Sequence, residues 1–146
     1  MWCMNLGSNY RFILDTCYFF EKSWKSFNDA KKNCRGKFGS DRNGKLMEPK
    51  TMERFQKIHE LATNIFGNWE TVLTGFEKHD DAGTDVRHNS DGSSALIKPW
   101  QGSRYIGESN EPYLSFWSNY NNGMDAMDDW SDWNNNYRAH SICESY

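Results

Sequence analysis

The amino-acid sequence predicts an α+β fold in which two helices accompany short strands and one long irregular segment. Three observations carry this. Two stretches, around residues 26–35 and 51–66, repeat apolar residues at helical spacing between recognisable start and stop signals. The run Cys17-Tyr18-Phe19-Phe20 is short and aromatic, as strands are. Beyond Phe76 the chain turns polar and irregular for about forty residues, a length that ordinary compact domains rarely contain.

Taken in order, Cys17 to Phe20 reads as the first strand. Ser26 is placed to cap the first helix, with Asp29 three residues on as in a capping box, and Phe27, Ala30 and Cys34 share one face. Gly36 to Gly44 is loop, and Lys45-Leu46-Met47 a short extended piece leading to the second helix. Pro49 and Thr51 mark its start. Met52, Phe55, His59, Ala62 and Phe66 follow a 3.6-residue period, and Gly67 stands at the C-terminal stop.

Composition bounds the function. The 146 residues lack a Pro/Gly/Ser-rich linker, so one domain over residues 1–146 is expected. Hydrophobic content of 37% is modest, but seven Trp, seven Tyr and nine Phe let few residues bury much area. A formal charge of -3 provides no basic footprint for nucleic acid. No apolar run approaches the ~18 residues that cross a bilayer, so membrane insertion is not expected. Met1 to Tyr10 lacks the basic start and apolar centre of a signal peptide, so any export signal is expected to have been removed. Four cysteines without CxxC spacing point to disulfides rather than zinc or a redox dithiol, with buried free thiols the alternative. His59, His79, His88 and His140 form no HExxH, and neither GxSxG nor a phosphate-cradling Gly loop occurs. Adjacent acids such as Asp128 and Asp129 do not suit glycoside hydrolysis, whose carboxylates flank one bond. An enzyme is not expected; His59 reads as half-buried core.

The C-terminal part carries a more specific pattern. Trp130-Ser131-Asp132 is followed eleven residues later by Cys143-Glu144, closing a pattern begun at Cys34. This resembles the C-type lectin-like domain. In that family a Trp-Asn-Asp turn supplies calcium ligands and a Cys-Glu pair ties the last strand to the first helix; here Ser131 stands in the Asn place. The Ser26 to Cys34 helix resembles the family's Thr-Trp-x-x-Ala-x-x-x-Cys, with Phe27 in the Trp place. Val72-Leu73-Thr74-Gly75-Phe76 resembles its Trp-Ile-Gly-Leu core strand, Trp69 lying three residues too early to be that Trp. Asp91-Gly92-Ser93 resembles a common turn of the family, Trp100 falls where it has a buried Trp, and Gly107-Glu108-Ser109-Asn110 resembles Gly-Glu-Pro-Asn, which sets sugar preference.

The resemblance implies a C-type lectin-like fold of two helices flanking small antiparallel sheets, with a long irregular ligand-binding loop at about 77–112. Tyr113 to Trp117 is then the strand after the site, and Ser118 to Asp129 an enlarged turn before Trp130. It implies pairing of Cys34 with Cys143, and of Cys3 with Cys17 as in the longer members, which carry an N-terminal hairpin. Most members add a second loop disulfide; its two places here are Tyr113 and Asn135, so both halves are absent together. An alternative alignment puts Tyr120-Asn121-Asn122 at the sugar motif and Ala126 at the next cysteine place.

The expected site is calcium held by Glu108, Asn110, Glu111, Ser131 and Asp132, with Glu108, Asn110, Glu111 and Asp132 also contacting the sugar. Calcium takes six to eight oxygen ligands, and these residue types supply them, Ser131 through a weaker hydroxyl. Clustered carboxylates without a cation repel one another. The resemblance implies a secreted lectin for carbohydrate or glycoprotein glycans of mannose, glucose or fucose type. Strength would come from multivalency, with which homo-oligomers are compatible. Tyr105 and Trp133 are candidates to stack on the sugar, against the commoner packing role of large aromatics. Asp80, Asp81, Asp125, Asp128 and Asp129 offer an auxiliary calcium site or a solvated acidic loop. Ser109 replaces the family's Pro, whose preceding peptide is cis, a geometry that costs a non-proline residue about 2.5–4 kcal/mol. This departure, with the lost loop disulfide, supports the alternative: a calcium-independent module binding a protein, ice or a mineral surface through the same loop.

Overall fold

The computed structural model describes residues 2–77, 89, 91, 93, 95–96, 113–119, 127–130 and 138–145. After a single 3-10 turn at Met4–Leu6 come β1 (Tyr10–Ile13), β2 (Thr16–Lys25), α1 (Phe27–Arg35), β3 (Lys45–Leu46), α2 (Met52–Phe66), β4 (Thr71–Glu77), β5 (Tyr113–Trp117), β6 (Met127–Trp130) and β7 (Ala139–Ser145). The two helices begin where the sequence places them. Ser26 Oγ accepts from the Asp29 amide at 3.3 Å, and Thr51 Oγ1 from the Arg54 amide at 3.1 Å. Each bond satisfies an amide the first turn leaves without a helical partner. Gly67 closes α2 at φ 102°, a conformation that favours glycine. Phe27, Ala30 and Cys34 of α1 are buried, as are Phe55, His59 and Ala62 of α2, joined there by Arg54 and Ile58. Met52 and Phe66 lie only partly buried at the margin.

The strands join in one seven-stranded sheet of order β1-β2-β7-β4-β5-β6, with β3 pairing to β7 off this path. All pairs are antiparallel except β4 with β7. The C-terminal strand is thus central, and every residue of it is buried. Strand alternation sorts side chains onto two layers. Tyr18, Phe20, Val72, Phe116 and Ile142 pack with Phe55, Ile58 and Ala62 of α2. Cys17, Phe19, Leu73 and Cys143 pack with Phe27, Ala30 and Cys34 of α1. Burying each such large apolar side chain contributes about 1.5–3 kcal/mol.

Cys17 to Phe20 is not the first strand but part of a longer second one. It pairs back on β1 through the two-residue turn Leu14-Asp15, with Ile13 opposite Thr16. Leu14 sits at φ 58° without the Asn-Gly or Asp-Gly signature of such turns, which is why local reading passes over it. The turn is held from α2: buried Arg54 donates through Nη1 to the Ile13 carbonyl at 3.2 Å and Thr16 Oγ1 at 3.1 Å, and through Nη2 to Asp15 Oδ1 at 2.7 Å. Cys3 is bonded to Cys17 and Cys34 to Cys143, with Cα separations of 5.6 and 5.2 Å. The second bridge anchors α1 to the central strand. β3 crosses close to β4: the Gly75 amide donates to the Met47 carbonyl at 2.8 Å, and a Cβ at Gly75 would stand 2.8 Å from the Leu46 carbonyl oxygen.

Candidate functional site

β4, β5 and β6 form one half of the sheet, and their register decides which ends lie together. Val72 pairs with Phe116 and Glu77 with Tyr113; across the next ladder Tyr113 pairs with Trp130 and Phe116 with Met127. The C-terminal end of β4, the start of β5 and the end of β6 therefore share one end of the sheet. The chain leaves there after Glu77 into the long polar segment, returns through Glu111-Pro112, and leaves again from Trp130 into Ser131-Asp132. Glu108, Asn110, Glu111, Ser131 and Asp132 themselves lie outside the described residues, as do Asp80, Asp81, Trp100, Tyr105, Asp125, Trp133, Asn135 and the alternative 120–122 motif with Ala126.

One expectation at this end is corrected. Ser118 to Asp129 is not all turn, because Met127–Trp130 is strand, with Asp128 opposite Ser115 and Asp129 opposite Leu114. Asp is depleted in strands, so the local sequence hides β6; the free edge of β5 supplies the pairing that makes it. Within the polar segment, the expected turn is present: Asp91 Oδ1 accepts from the Ser93 amide at 2.9 Å and the Ser93 hydroxyl at 2.6 Å. Those bonds, the hydroxyl's first, hold the Asp91 carboxyl below the usual carboxylate range, and the Lys45 charge adds to them. Ala95 packs against the core. Among the described residues, no group of three His, Cys, Asp or Glu side chains converges for a metal.

No protein-family model and no curated protein matches the chain by sequence. Solved structures match it by shape. The C-type lectin CEL-I from Cucumaria echinata superposes with a TM-score of 0.72 at 16% identity, covering 96% of each chain. A calcium-independent type II antifreeze protein gives 0.70 at 16% identity, over 96% of this chain and 95% of that one. SPL-2, a Ca2+-independent C-type lectin from Saxidomus purpuratus, gives 0.69 at 18% identity, over 94% and 91%. The chain has the C-type lectin-like fold.

On this C-type lectin-like fold the two described histidines, His59 and His140, are both buried. His59 is buried, and its Nε2 lies 2.9 Å from the Trp117 carbonyl oxygen, which accepts. Burial pushes the imidazole below its usual value, and that hydrogen bond opposes the shift. His140 is also buried and stacks on Phe66 at 4.3 Å between centroids. No described helix is long and apolar enough to cross a membrane. Local reading did not anticipate the exposure of three Trp side chains. Trp24, Trp69 and Trp117 are 62%, 61% and 42% exposed, although Trp is usually mostly buried. The available signal was that Trp69 follows the Gly67 stop, outside any periodic pattern, and that Trp117 ends its strand.

Proposed function

We propose that this C-type lectin-like chain is an extracellular, calcium-dependent carbohydrate-binding protein whose site is built from Glu108, Asn110, Glu111, Ser131 and Asp132. The observation that carries the reading is the pairing of Tyr113 with Trp130. Glu111 and Asp132 are each two residues from that pair, a reach of about 7 Å, so both donor segments are tethered to one end of one ladder. The donor chemistry fits calcium: carboxylates of Glu108, Glu111 and Asp132, the Asn110 amide oxygen and the Ser131 hydroxyl are hard oxygens. A bound calcium would supply open coordination positions for two neighbouring sugar hydroxyls. Glu108 accepts from those hydroxyls and the Asn110 amide donates to them, an order that favours mannose, glucose or fucose-type sugars. Binding, not catalysis, is the activity. Two disulfides suit an oxidising, extracellular compartment.

Titration with mannan in calcium and in chelator tests the reading. A calcium-dependent component of binding is expected, absent in chelator and absent in Asp132→Ala. A second reading, a calcium-independent module for a protein, ice or mineral surface, draws on Ser109 and Ser131 at the motif positions and on the calcium-independent antifreeze protein of the same fold. It is preferred if calcium changes neither sugar binding nor thermal stability.

A further inference from the structure

One nitrogen of the central strand faces two side chains that cannot both bond to it in a single protonation state. His140 Nε2 accepts from Trp24 Nε1 at 3.0 Å and stands 3.3 Å from Glu70 Oε2. With the ring proton on Nδ1, the Nε2 lone pair takes the indole N–H and faces the carboxylate with no hydrogen between them. With a proton on Nε2, the ring donates to Glu70 and the indole N–H meets a second N–H. His140 Nδ1 is buried and has no hydrogen-bond partner among the described residues, so it fixes neither state.

The surroundings decide which partner moves. His140 lies in the buried central strand, and its ring stacks on Phe66 at 4.3 Å and 9°. Glu70 is pinned by its backbone: its amide donates to the Ser118 hydroxyl at 2.9 Å, and its carbonyl accepts from the Ser118 amide at 2.9 Å. Trp24 is exposed. The β1–β2 register ends with Tyr10 opposite Phe19, and against β7 it passes from Glu21–Ser141 to Lys25–Ala139. Lys22, Ser23 and Trp24 therefore stand opposite His140 alone, and the indole-to-imidazole bond ties down a bulged segment that the ladder leaves unpaired.

Among the described residues, the charged group facing the ring is Glu70. α2 contributes Phe66, and β4 sets Val72 opposite His140. On β2, Lys22 and Lys25 flank Trp24 in the chain, and no ion pair among the described residues joins either to Glu70. On β7, Arg138 lies 3.9 Å from Asp29 of α1, and Glu144 lies 3.9 Å from Lys45.

We infer that Trp24, His140 and Glu70 form a proton-operated latch on the C-terminal end of β2. While the imidazole is neutral, Trp24 is held to the central strand. When the ring takes a proton from solvent, Nε2 turns to Glu70 as a charge-assisted pair, and the indole N–H, now facing a donor, is released. Residues 22–24 loosen with it, just before Ser26 caps α1. The latch goes beyond the calcium-dependent reading and does not rest on it.

The test is nuclear magnetic resonance of the full chain between about pH 8 and 5, the range over which histidine titrates. It follows the Trp24 indole N–H, assigned by its loss in Trp24→Phe, together with the His140 ring nitrogens. The Trp24 signal should move along the same curve as the His140 ring, and its exchange with water should quicken by about tenfold as the hydrogen bond is lost. In His140→Gln, which has no titrating ring, the Trp24 signal should hold its position across the range. In Glu70→Gln the acid-driven quickening should shrink by about threefold, because the imidazolium loses its charged partner. His59→Gln should leave the Trp24 curve unchanged, which separates the latch from acid sensitivity seated at His59. Asp132→Ala should retain the curve too, whether or not the calcium-dependent reading holds. Should His140→Gln melt early, the wild-type comparison of the two curves and Glu70→Gln decide. The inference is overturned by a Trp24 signal that stays fixed over that range, follows a different curve from His140, changes its course in His59→Gln, or still titrates in folded His140→Gln.

Discussion

Tyr113 and Trp130 are Cα partners at the terminal rung of the β5–β6 ladder. The chain before one and after the other carries the proposed calcium donors, so occupation of that site couples two segments to the folded sheet.

Calcium should therefore raise the melting temperature. A ligand that binds only the folded state adds about 2.7 kcal/mol at one hundred times its Kd. For a chain of this size that is roughly 5–10 °C. Asp132→Ala should lose most of the increment. Identical melts in millimolar calcium and in chelator would remove the calcium site from consideration.

Sugar preference should follow hydrogen-bond polarity at the same place. Glu108→Gln combined with Asn110→Asp reverses which side chain accepts and which donates. Mannose binding should weaken, and galactose binding should appear. A glycan array on which the unmodified chain prefers galactose contradicts the assignment.

The Cys34–Cys143 bridge spans a sequence separation of 109 residues. Replacing both cysteines by serine should cost about 4–5 kcal/mol through the entropy regained by the unfolded chain. The Cys3–Cys17 bridge spans 14 residues and should cost about 3 kcal/mol. Denaturant midpoints measure the pair; equal losses, or none, would show that the loops do not govern the effect.

Gly75→Ala should destabilise by about 1–3 kcal/mol, because its Cβ would press on the Leu46 carbonyl, a backbone atom that cannot swing aside. Gly36→Ala provides the control, since nothing lies within 4 Å of a Cβ there. Chemical denaturation of both variants is the measurement. A Gly75→Ala variant as stable as Gly36→Ala would mean that β3 and β4 separate freely.

Stability should fall on mild acidification through His59. Its folded value lies below the ordinary 6.5 because burial disfavours the charged ring. The unfolded chain therefore takes up the proton first, and stability rises with pH across that window. The contribution is complete above about pH 6.5 and declines as pH drops towards the lower folded value. In His59→Gln the slope of melting temperature between about pH 7 and 5 should flatten. A variant with the wild-type slope would assign the acid sensitivity elsewhere.

What the sequence determined by itself is what one segment can encode. Ser26, Thr51 and Gly67 set the helix limits, and the spacing of Phe27, Ala30 and Cys34, and of Phe55, His59 and Ala62, set their buried faces. Both signals are local: a cap bonds within its own turn, and periodicity records which side of one element meets the core. The candidate donors were legible only through resemblance, since nothing local says that Glu111 and Asp132 belong to one site. The tertiary structure decided the rest. It put Ala139-His140-Ser141-Ile142-Cys143-Glu144-Ser145, a run with few apolar residues, at the centre of the sheet, buried throughout. It made β6 from a weak strand sequence, paired β1 with β2 through a turn without the usual signature, buried Arg54 under that turn, and turned Trp24, Trp69 and Trp117 outwards. Each of these depends on partners distant in the chain. A strand forms where a neighbour offers its hydrogen-bonding edge, and a side chain is buried or exposed according to what the completed sheet lays against it.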